Sequence, residues 1–405
     1  MKRRNFLKLA GLSSLGLIAK RNFEGKELSD LEEKENKSCG SLDPWIEVDL
    51  KHIAWNLSQI RRLVQVPIMA VVKANAYGHG LVKIAKFLEK NGINYLMVGK
   101  CEEAVELRKN GVRCPILNFG PFSKEDCLEI IKLGISQSVF TDQALALNEI
   151  AARLKKKAKV HIHFDTGLGR VGIPHYQAIP FIEKVSSLSH LMIEGISTTL
   201  TEDKDFDQEQ LRRFFEMCGS AQRKGIALGL RHVASSDGIL NHPQSYLDMV
   251  RPGITIYGYY PSPQTQREDR LKLKPALKFK AKVVFIKDLL PGESLSYHRK
   301  FTAREKELIA TVGVGYSDGY PYQLADRAEI VIKNKKYPVI AAVTANHLMV
   351  NLKNDREIKI GDEVVLISDQ RDRRITADEL AALAGTSVYK ILIGLNPLLP
   401  RRYIK

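Results

Sequence analysis

At 405 residues the chain is too long for a single small fold, and at roughly 150 residues per domain it implies two to three domains or one large α/β barrel with a smaller unit. Its 44% apolar and 27% charged residues, with 28 Gly and 16 Pro, are those of an ordinary globular protein and exclude a low-complexity or wholly disordered chain. The formal charge is +16, but the basic residues are scattered (Arg61-Arg62, 155–157, Arg401-Arg402) rather than gathered beside aromatic partners, so no nucleic-acid partner is expected.

In chain order, residues 1–8 read MKRRNFLK and are followed by an apolar stretch at 9–19. Arg3-Arg4 with Phe6-Leu7-Lys8 resembles a twin-arginine export signal; a basic amphipathic N-terminus is the alternative. The apolar run is about eleven residues, short of the roughly 20 that a membrane-spanning helix needs, so no stable membrane span is expected. Residues 24–40 are polar and charged and read as a linker, which makes 1–41 a leader and linker. The signal implies a periplasmic or extracytoplasmic location, or a cytoplasmic one if it is not used. No clean small-x-small cleavage site follows Ala19, and Cys39 lacks the apolar residues that precede a lipidated cysteine.

From residue 42 short β-rich runs alternate with segments of helical period, the pattern of parallel strands joined by crossover helices. Strands are expected at 46–48, 68–72, 95–98, 116–119, 137–140, 160–164, 192–196 and 229–233, and helices at 52–64, 81–90 and 207–224. Eight such units close a (β/α)8 barrel, assigned to 42–274. Beyond that the β-branched runs at 279–286, 308–314, 330–332, 339–343 and 364–367 indicate a mostly β domain over 275–405. One helix is expected there at 377–384, opened by Thr376 and stopped by Gly385.

The five cysteines at 39, 101, 114, 127 and 218 never fall at CxxC spacing, so neither a disulfide framework nor a structural zinc site is expected. Three motifs invite a chemical reading. Gly167-Leu-Gly-Arg-Val-Gly172 matches GxGxxG, yet it lies deep in the barrel series and Arg170 crowds the position where a pyrophosphate would approach the backbone. His161 and His163 share one face of a strand, suiting either a metal or a pair of hydrogen-bonded histidines; with no second ligand cluster evident, no metal is expected. Finally, in Val71-Val-Lys73-Ala-Asn-Ala-Tyr77-Gly-His-Gly80 a lysine ends an apolar strand, with Gly78 and Gly80 behind it. A Schiff-base lysine needs that partial desolvation and close approach, and strand C-terminal ends are where barrel enzymes place catalytic groups.

This last segment resembles the lysine motif of alanine racemases, pyridoxal 5'-phosphate (PLP) enzymes that join an α/β barrel to a C-terminal β domain. The resemblance runs from about Trp45 to Tyr403 and recurs in order at Asp165-Thr-Gly-Leu-Gly-Arg170, Val250-Arg251-Pro-Gly-Ile254, Ser294-Leu-Ser-Tyr297 and Gly315-Tyr316-Ser-Asp-Gly-Tyr320. It implies that Lys73 holds PLP and acts as one base, while Tyr297, reaching in from the other subunit of a homodimer, acts on the opposite face. It further implies that Arg251 faces the cofactor's ring nitrogen. Tyr77, Ser236, the backbone amides of Gly253 and Ile254, and Tyr389 would hold the phosphate, Arg170 would pair with the substrate carboxylate with a backbone contact from Ala345 of the second subunit, and Tyr316 and Tyr389 would narrow the side-chain pocket.

The chain departs from the family pattern at His163, where a carbamylated lysine is usual, at Thr199, where a histidine normally contacts the catalytic tyrosine, and at Ser235 and Ala345-Asn346. The expected function is interconversion of L- and D-alanine by two bases. Alternatives are a racemase of broader amino-acid range, a PLP-binding protein with impaired catalysis, and a metal-dependent barrel hydrolase.

Overall fold

The structure, a computed structural model, describes residues 42–369 and 375–404; the leader and linker assigned to 1–41 lie outside the described residues. Chain entry is through β1 (Trp45–Asp49) and α1 (Leu50–Val64), which Asp49 caps by accepting from the Lys51 and His52 amides at 2.8 and 3.1 Å. Parallel strands then alternate with helices: β2 (Met69–Val71), α2 (Leu81–Lys90), β3 (Tyr95–Val98), α3 (Cys101–Lys109), β4 (Ile116–Asn118), α4 (Cys127–Lys132) and β5 (Ser136–Val139). The series continues with α5 (Gln143–Arg153), β6 (Ala158–Asp165), α6 (Ala178–Ser186), β7 (Leu191–Ser197), α7 (Lys204–Arg223) and β8 (Leu230–His232). These strands pair in sequence order, all parallel. Helix α7 begins three residues before the expected 207, because the Asp203 carboxylate accepts from the Phe206 amide at 3.0 Å.

The gap between β8 and β2 is bridged by residues 249–252. On one side Met69 N–H donates to Val250 O at 2.9 Å and Val71 N–H to Pro252 O at 3.0 Å; on the other Arg251 N–H donates to Ala234 O at 2.7 Å. The fold is therefore the expected α/β barrel, but its eighth staves are these residues and not 46–48. The burial patterns explain the difference. β2 and β3 are buried on both faces, as staves under crossover helices must be, whereas Glu47 and Asp49 of β1 are half-exposed, which suits a sheet with one wet face.

β1 belongs instead to the C-terminal sheet, antiparallel to β9 (Leu277–Leu289) and parallel to β15 (Arg401–Ile404). That domain adds β10 (Glu307–Val312), β11 (Glu329–Ile332), β12 (Lys335–Val343), β13 (Leu348–Asn351) and β14 (Glu363–Ile367). β9 is long enough to pair with β14 along its first half and with β10 along its second, across a bulge at 283–285, so the pairing β9–β10–β13–β12–β11–β14 returns to β9 as a closed ring. Two helices follow, α8 (Ala377–Ala384) and α9 (Val388–Gly394). α8 has the expected bounds, with a Thr376–Glu379 capping box and Gly385 in the left-handed region at φ 64°. No helix among the described residues is long and apolar enough to cross a membrane.

Candidate active site

A cavity of about 360 Å³ opens at the C-terminal ends of the barrel strands and brings together Lys73, Tyr77, Arg170, Ser236, Arg251, Gly253, Ile254 and Tyr389. Lys73 stands where β2 ends, and the four residues after it, Ala74, Asn75, Ala76 and Tyr77, form a left-handed turn with φ of 53, 55, 52 and 51°. Each such non-glycine residue costs about 1–2 kcal/mol, so the turn exists only because its surroundings hold it. Glu103 accepts from the Asn75 and Gly99 amides at 3.2 and 3.0 Å, the Asn75 side chain caps Leu81 N–H at 2.7 Å, and buried His79 donates from Nδ1 to Tyr77 O at 2.9 Å. From the β domain, Arg401 Nε donates to Gly78 O at 2.8 Å and the Tyr403 hydroxyl to His79 O at 3.1 Å. Gly78 has φ +81°, and a Cβ there would sit 2.2 Å from Leu392 O, so α9 packs directly on the turn.

The lysine lies among positive charges. Desolvation first, then Arg170 and Arg251, lower its pKa, with Glu103 opposing. Arg251 is 4% exposed; its Nη2 donates to Thr198 O and to Val233 O at 2.8 Å, and its guanidinium lies 5.8 Å from the Phe119 ring centroid. Burial and the neighbouring Arg170 bring its pKa down to about 10, so it remains a cation at neutral pH. Its Nε is buried with no hydrogen-bond partner. Arg170 reaches the cavity from the loop after β6, where the Asp165 carboxylate accepts from the Gly167 and Gly169 amides at 2.9 and 3.0 Å. That Asp-capped turn is what the GxGxxG match encodes; it runs into the extended pair Ile173–Pro174, which lies back against β6, instead of opening a helix directly, and this removes the dinucleotide reading.

Beside Arg251 neutral donors gather. Ser236 Oγ accepts from Gly253 N–H at 2.9 Å and lies 3.0 Å from Thr255 Oγ1. The Tyr77 ring stands 5.0 Å from that of Tyr257 and 6.0 Å from that of Tyr389, and burial raises the pKa of both Tyr77 and Tyr389, keeping their hydroxyls protonated. A Cβ on Gly253 would fall 2.6 Å from Tyr77 Oη, so only glycine permits this approach. Uncharged O–H and N–H groups together with two guanidinium groups in one cavity suit a ligand that carries a phosphate and a carboxylate.

The histidine pair lies inside the barrel. His163 Nδ1 is 3.0 Å from Ser197 Oγ, its ring is edge-on to Phe119, and burial followed by Arg251 and Arg170 lowers its pKa to about 3. His161 Nδ1 is 2.8 Å from His232 Nε2, and its Nε2 faces Glu194. Neither joins a group of three ligating atoms among the described residues, which leaves the hydrogen-bonded reading of the pair.

Three expected site residues lie elsewhere. Tyr297 sits at the tip of the hairpin Ser294–Leu295 and Phe301–Thr302 and is 77% exposed. Tyr316 is exposed on the β domain, where its amide donates to Thr344 O at 2.9 Å, and Ala345 O accepts from the Ser317 amide and hydroxyl beside it. Thr199 and Ser235 do line the Lys73 cavity, whereas Asn346 bonds Ser317 Oγ at 2.9 Å. The sequence reading missed Phe119 and Phe140, which close strands β4 and β5, and Glu202 after β7, although position just past a strand's C-terminal end was a usable signal. Glu202 has its pKa raised to about 7 by burial, Asp237 and Asp207.

Comparison with known proteins follows the same division. A family profile described as alanine racemase, N-terminal domain, matches residues 48–261, and one for the alanine racemase C-terminal domain matches 276–403. Alanine racemase 1 of Clostridium acetobutylicum is 40% identical over 370 residues, covering 89% of this chain and 95% of that protein, and alanine racemase 2 of Caldanaerobacter subterraneus subsp. tengcongensis is 38% identical over 367 residues, covering 89% and 94%. Among solved structures, alanine racemase of Clostridium difficile 630 superposes with a TM-score of 0.85 at 35% identity, covering 90% and 96% of the two chains. The Bacillus anthracis alanine racemase with bound L-Ala-P gives 0.84 at 32%, covering 90% and 95%. By both domains, in order and across the cavity that Lys73 enters, this chain belongs to the alanine racemase family.

Proposed function

We propose that this chain is a PLP-dependent alanine racemase that works as a homodimer and interconverts L- and D-alanine with two bases, Lys73 and the partner subunit's Tyr297. The observation that carries the reading is the convergence, in one cavity, of a lysine of lowered pKa with a buried arginine whose Nε is unpartnered. Relatives 36 to 40% identical over most of the chain bear the same activity in their names. The residues present fit PLP: the Lys73 amine would hold it, the unpartnered Arg251 Nε–H would donate to its ring nitrogen, and the Tyr77–Ser236–Gly253 group, opened by the missing Cβ, would take its phosphate.

When bound, the cofactor supplies an electron sink that acidifies the α-proton of an amino acid. Lys73, desolvated and beside two arginines, loses its own proton more readily than an exposed lysine, and so serves as nucleophile and then as base at one face of the α-carbon. Arg251 stays protonated and can only donate at the ring nitrogen, which limits the sink and disfavours side reactions. Arg170 makes no ion pair with a carboxylate among the described residues and lines the same cavity as Lys73, so it would pair with the substrate carboxylate and orient the amino acid toward the lysine. The exposed hairpin that carries Tyr297 supports a base delivered into a second copy's cavity, with Tyr316 and Ala345 carried on the same domain.

Thr199 in the cavity wall favours one variant of this reading, a range wider than alanine, because a small side chain stands where the family has a histidine. The test is chiral chromatography of PLP-loaded protein incubated with L-alanine and a panel of L-amino acids, beside Lys73→Ala and Tyr297→Phe. Alanine-led interconversion lost in both variants is expected. Bound PLP without exchange of any α-proton would instead make the chain a cofactor-holding protein. We further propose, from Arg3-Arg4, that the protein is exported folded with its cofactor; unprocessed protein found wholly in the cytosol would refute that part.

A further inference from the structure

We propose that Asp207, Asp237 and His242 form a binding site for one divalent transition-metal ion of the Zn²⁺ or Mn²⁺ class. The three residues come from separate places, Asp207 from the first turns of α7, Asp237 from the short helix Ser236–Asn241, and His242 from that helix's C-terminal cap. All are inside the protein, at 0, 3 and 2% exposure, and one ligating atom from each lies within 4.8 Å of the others. No sequence spacing links them, and no metal was expected from the motifs.

Each side chain is held at one atom by an outer partner, and its other polar atom makes no hydrogen bond. Asp207 Oδ1 accepts from Thr201 N–H and Oγ1, both at 2.8 Å, while its Oδ2 has no hydrogen-bond partner. Asp237 Oδ1 accepts from Asn241 Nδ2 at 2.8 Å, while its Oδ2 has none. The Gln208 amide lies 3.3 Å from His242 Nδ1 and orients the ring, and Nε2 is unpartnered. Outer partners that fix the ligands and spare one atom each are the usual support of a metal site. His242 Nε2 and Asp207 Oδ2 approach to 3.1 Å without hydrogen-bonding alignment. Two ligands about 2.1 Å from one ion and at right angles to each other are about 3 Å apart, so this edge has the length of a coordination polyhedron.

Charge points the same way. Two carboxylates buried together are unfavourable unless a cation offsets them. Among described residues, the cations whose field reaches Asp237 are His242 of the cluster itself and Lys204, the latter already ion-paired with Glu268 at 3.0 Å. One imidazole with two carboxylates selects a borderline ion over Mg²⁺ or Ca²⁺, which prefer all-oxygen shells.

The test is elemental analysis of untagged holoenzyme dialysed against excess ZnCl₂ or MnCl₂ and then against buffer, beside Asp237→Asn and His242→Gln, with circular dichroism to confirm folding. About one ion per chain is expected in the wild type and less than about a tenth in either variant. Chelation should lower the wild-type Tm by roughly 3 °C or more, and the same metal should restore it. Wild-type protein that keeps less than about a tenth of an ion and shows no metal-dependent Tm would overturn the site in favour of a plain His242–Asp207 contact. Folded variants that keep the full ion would also overturn it, by placing the metal elsewhere.

Discussion

Gly253→Ala probes the anion end of the cavity with a single methyl group. The added Cβ would stand 2.6 Å from Tyr77 Oη and 3.2 Å from Cζ, against the 3.4 Å of ordinary contact, so roughly 0.8 Å must be found at the hydroxyl. Tyr77 is 4% exposed, faces Tyr257 on one side and Tyr389 on the other, and follows a backbone turn already strained, so it cannot swing away without cost. Overpacking of this kind costs about 1–3 kcal/mol. If the penalty falls on the position of the hydroxyl that receives the phosphate, PLP affinity drops about 5- to 150-fold. The assay is titration of cofactor-free protein with PLP, followed by absorbance near 420 nm, with inorganic phosphate as competitor and Tm measured alongside. Affinity within twofold of wild type in a folded variant would refute the assignment of Tyr77 and Gly253 to one phosphate cradle.

Mixing the two inactive variants Lys73→Ala and Tyr297→Phe and allowing subunits to exchange should restore roughly a quarter of wild-type racemisation, because half the dimers then hold one intact composite site; no recovery after verified exchange would place both bases in one chain. Glu202→Gln should flatten a pH effect. The folded carboxyl, raised to about 7, keeps a proton that the unfolded chain has released above about 4.5, so wild-type stability relative to the variant should fall as pH rises from 5 to 8; parallel Tm curves would contradict this. Ser296→Gly should raise Tm, since φ 64° with ψ 176° is a conformation essentially reserved for glycine and costs about 1–3 kcal/mol, while loosening the hairpin and lowering kcat; a lowered Tm would show that the serine is not strained.

Much of the site was legible because barrels place chemistry at strand ends, and Lys73, Arg170 and Arg251 each follow or lie in an apolar stave. The cap on the lysine turn was not legible: Glu103, Arg401 and Tyr403 meet it from 28 to more than 300 residues away. Residues 45–49 carry apolar residues much like a stave, and only their half-exposed acidic positions distinguish them, a feature visible once the sheet is known. Residues 249–252 were passed over because Arg251 and Pro252 interrupt a run of only two apolar residues, and their pairing is carried by backbone hydrogen bonds alone. The Asp207–Asp237–His242 cluster depends wholly on the packing of α7 against the loop after β8.

β15 ties residues 401–404 to β1 and to the lysine turn, since it pairs with 46–49 while Arg401 and Tyr403 bond the carbonyls of Gly78 and His79. A nascent chain that has completed all its barrel staves still lacks the two clamps that hold four left-handed residues in place. Two of the turn's hydrogen-bond partners are therefore in place only when residues 401–404 have docked. Removing residues 401–405 would leave the cavity residues present and Glu103 still on the Asn75 amide, but the Gly78 and His79 carbonyls would lose their partners, so the lysine turn's hold depends on a strand more than 300 residues away.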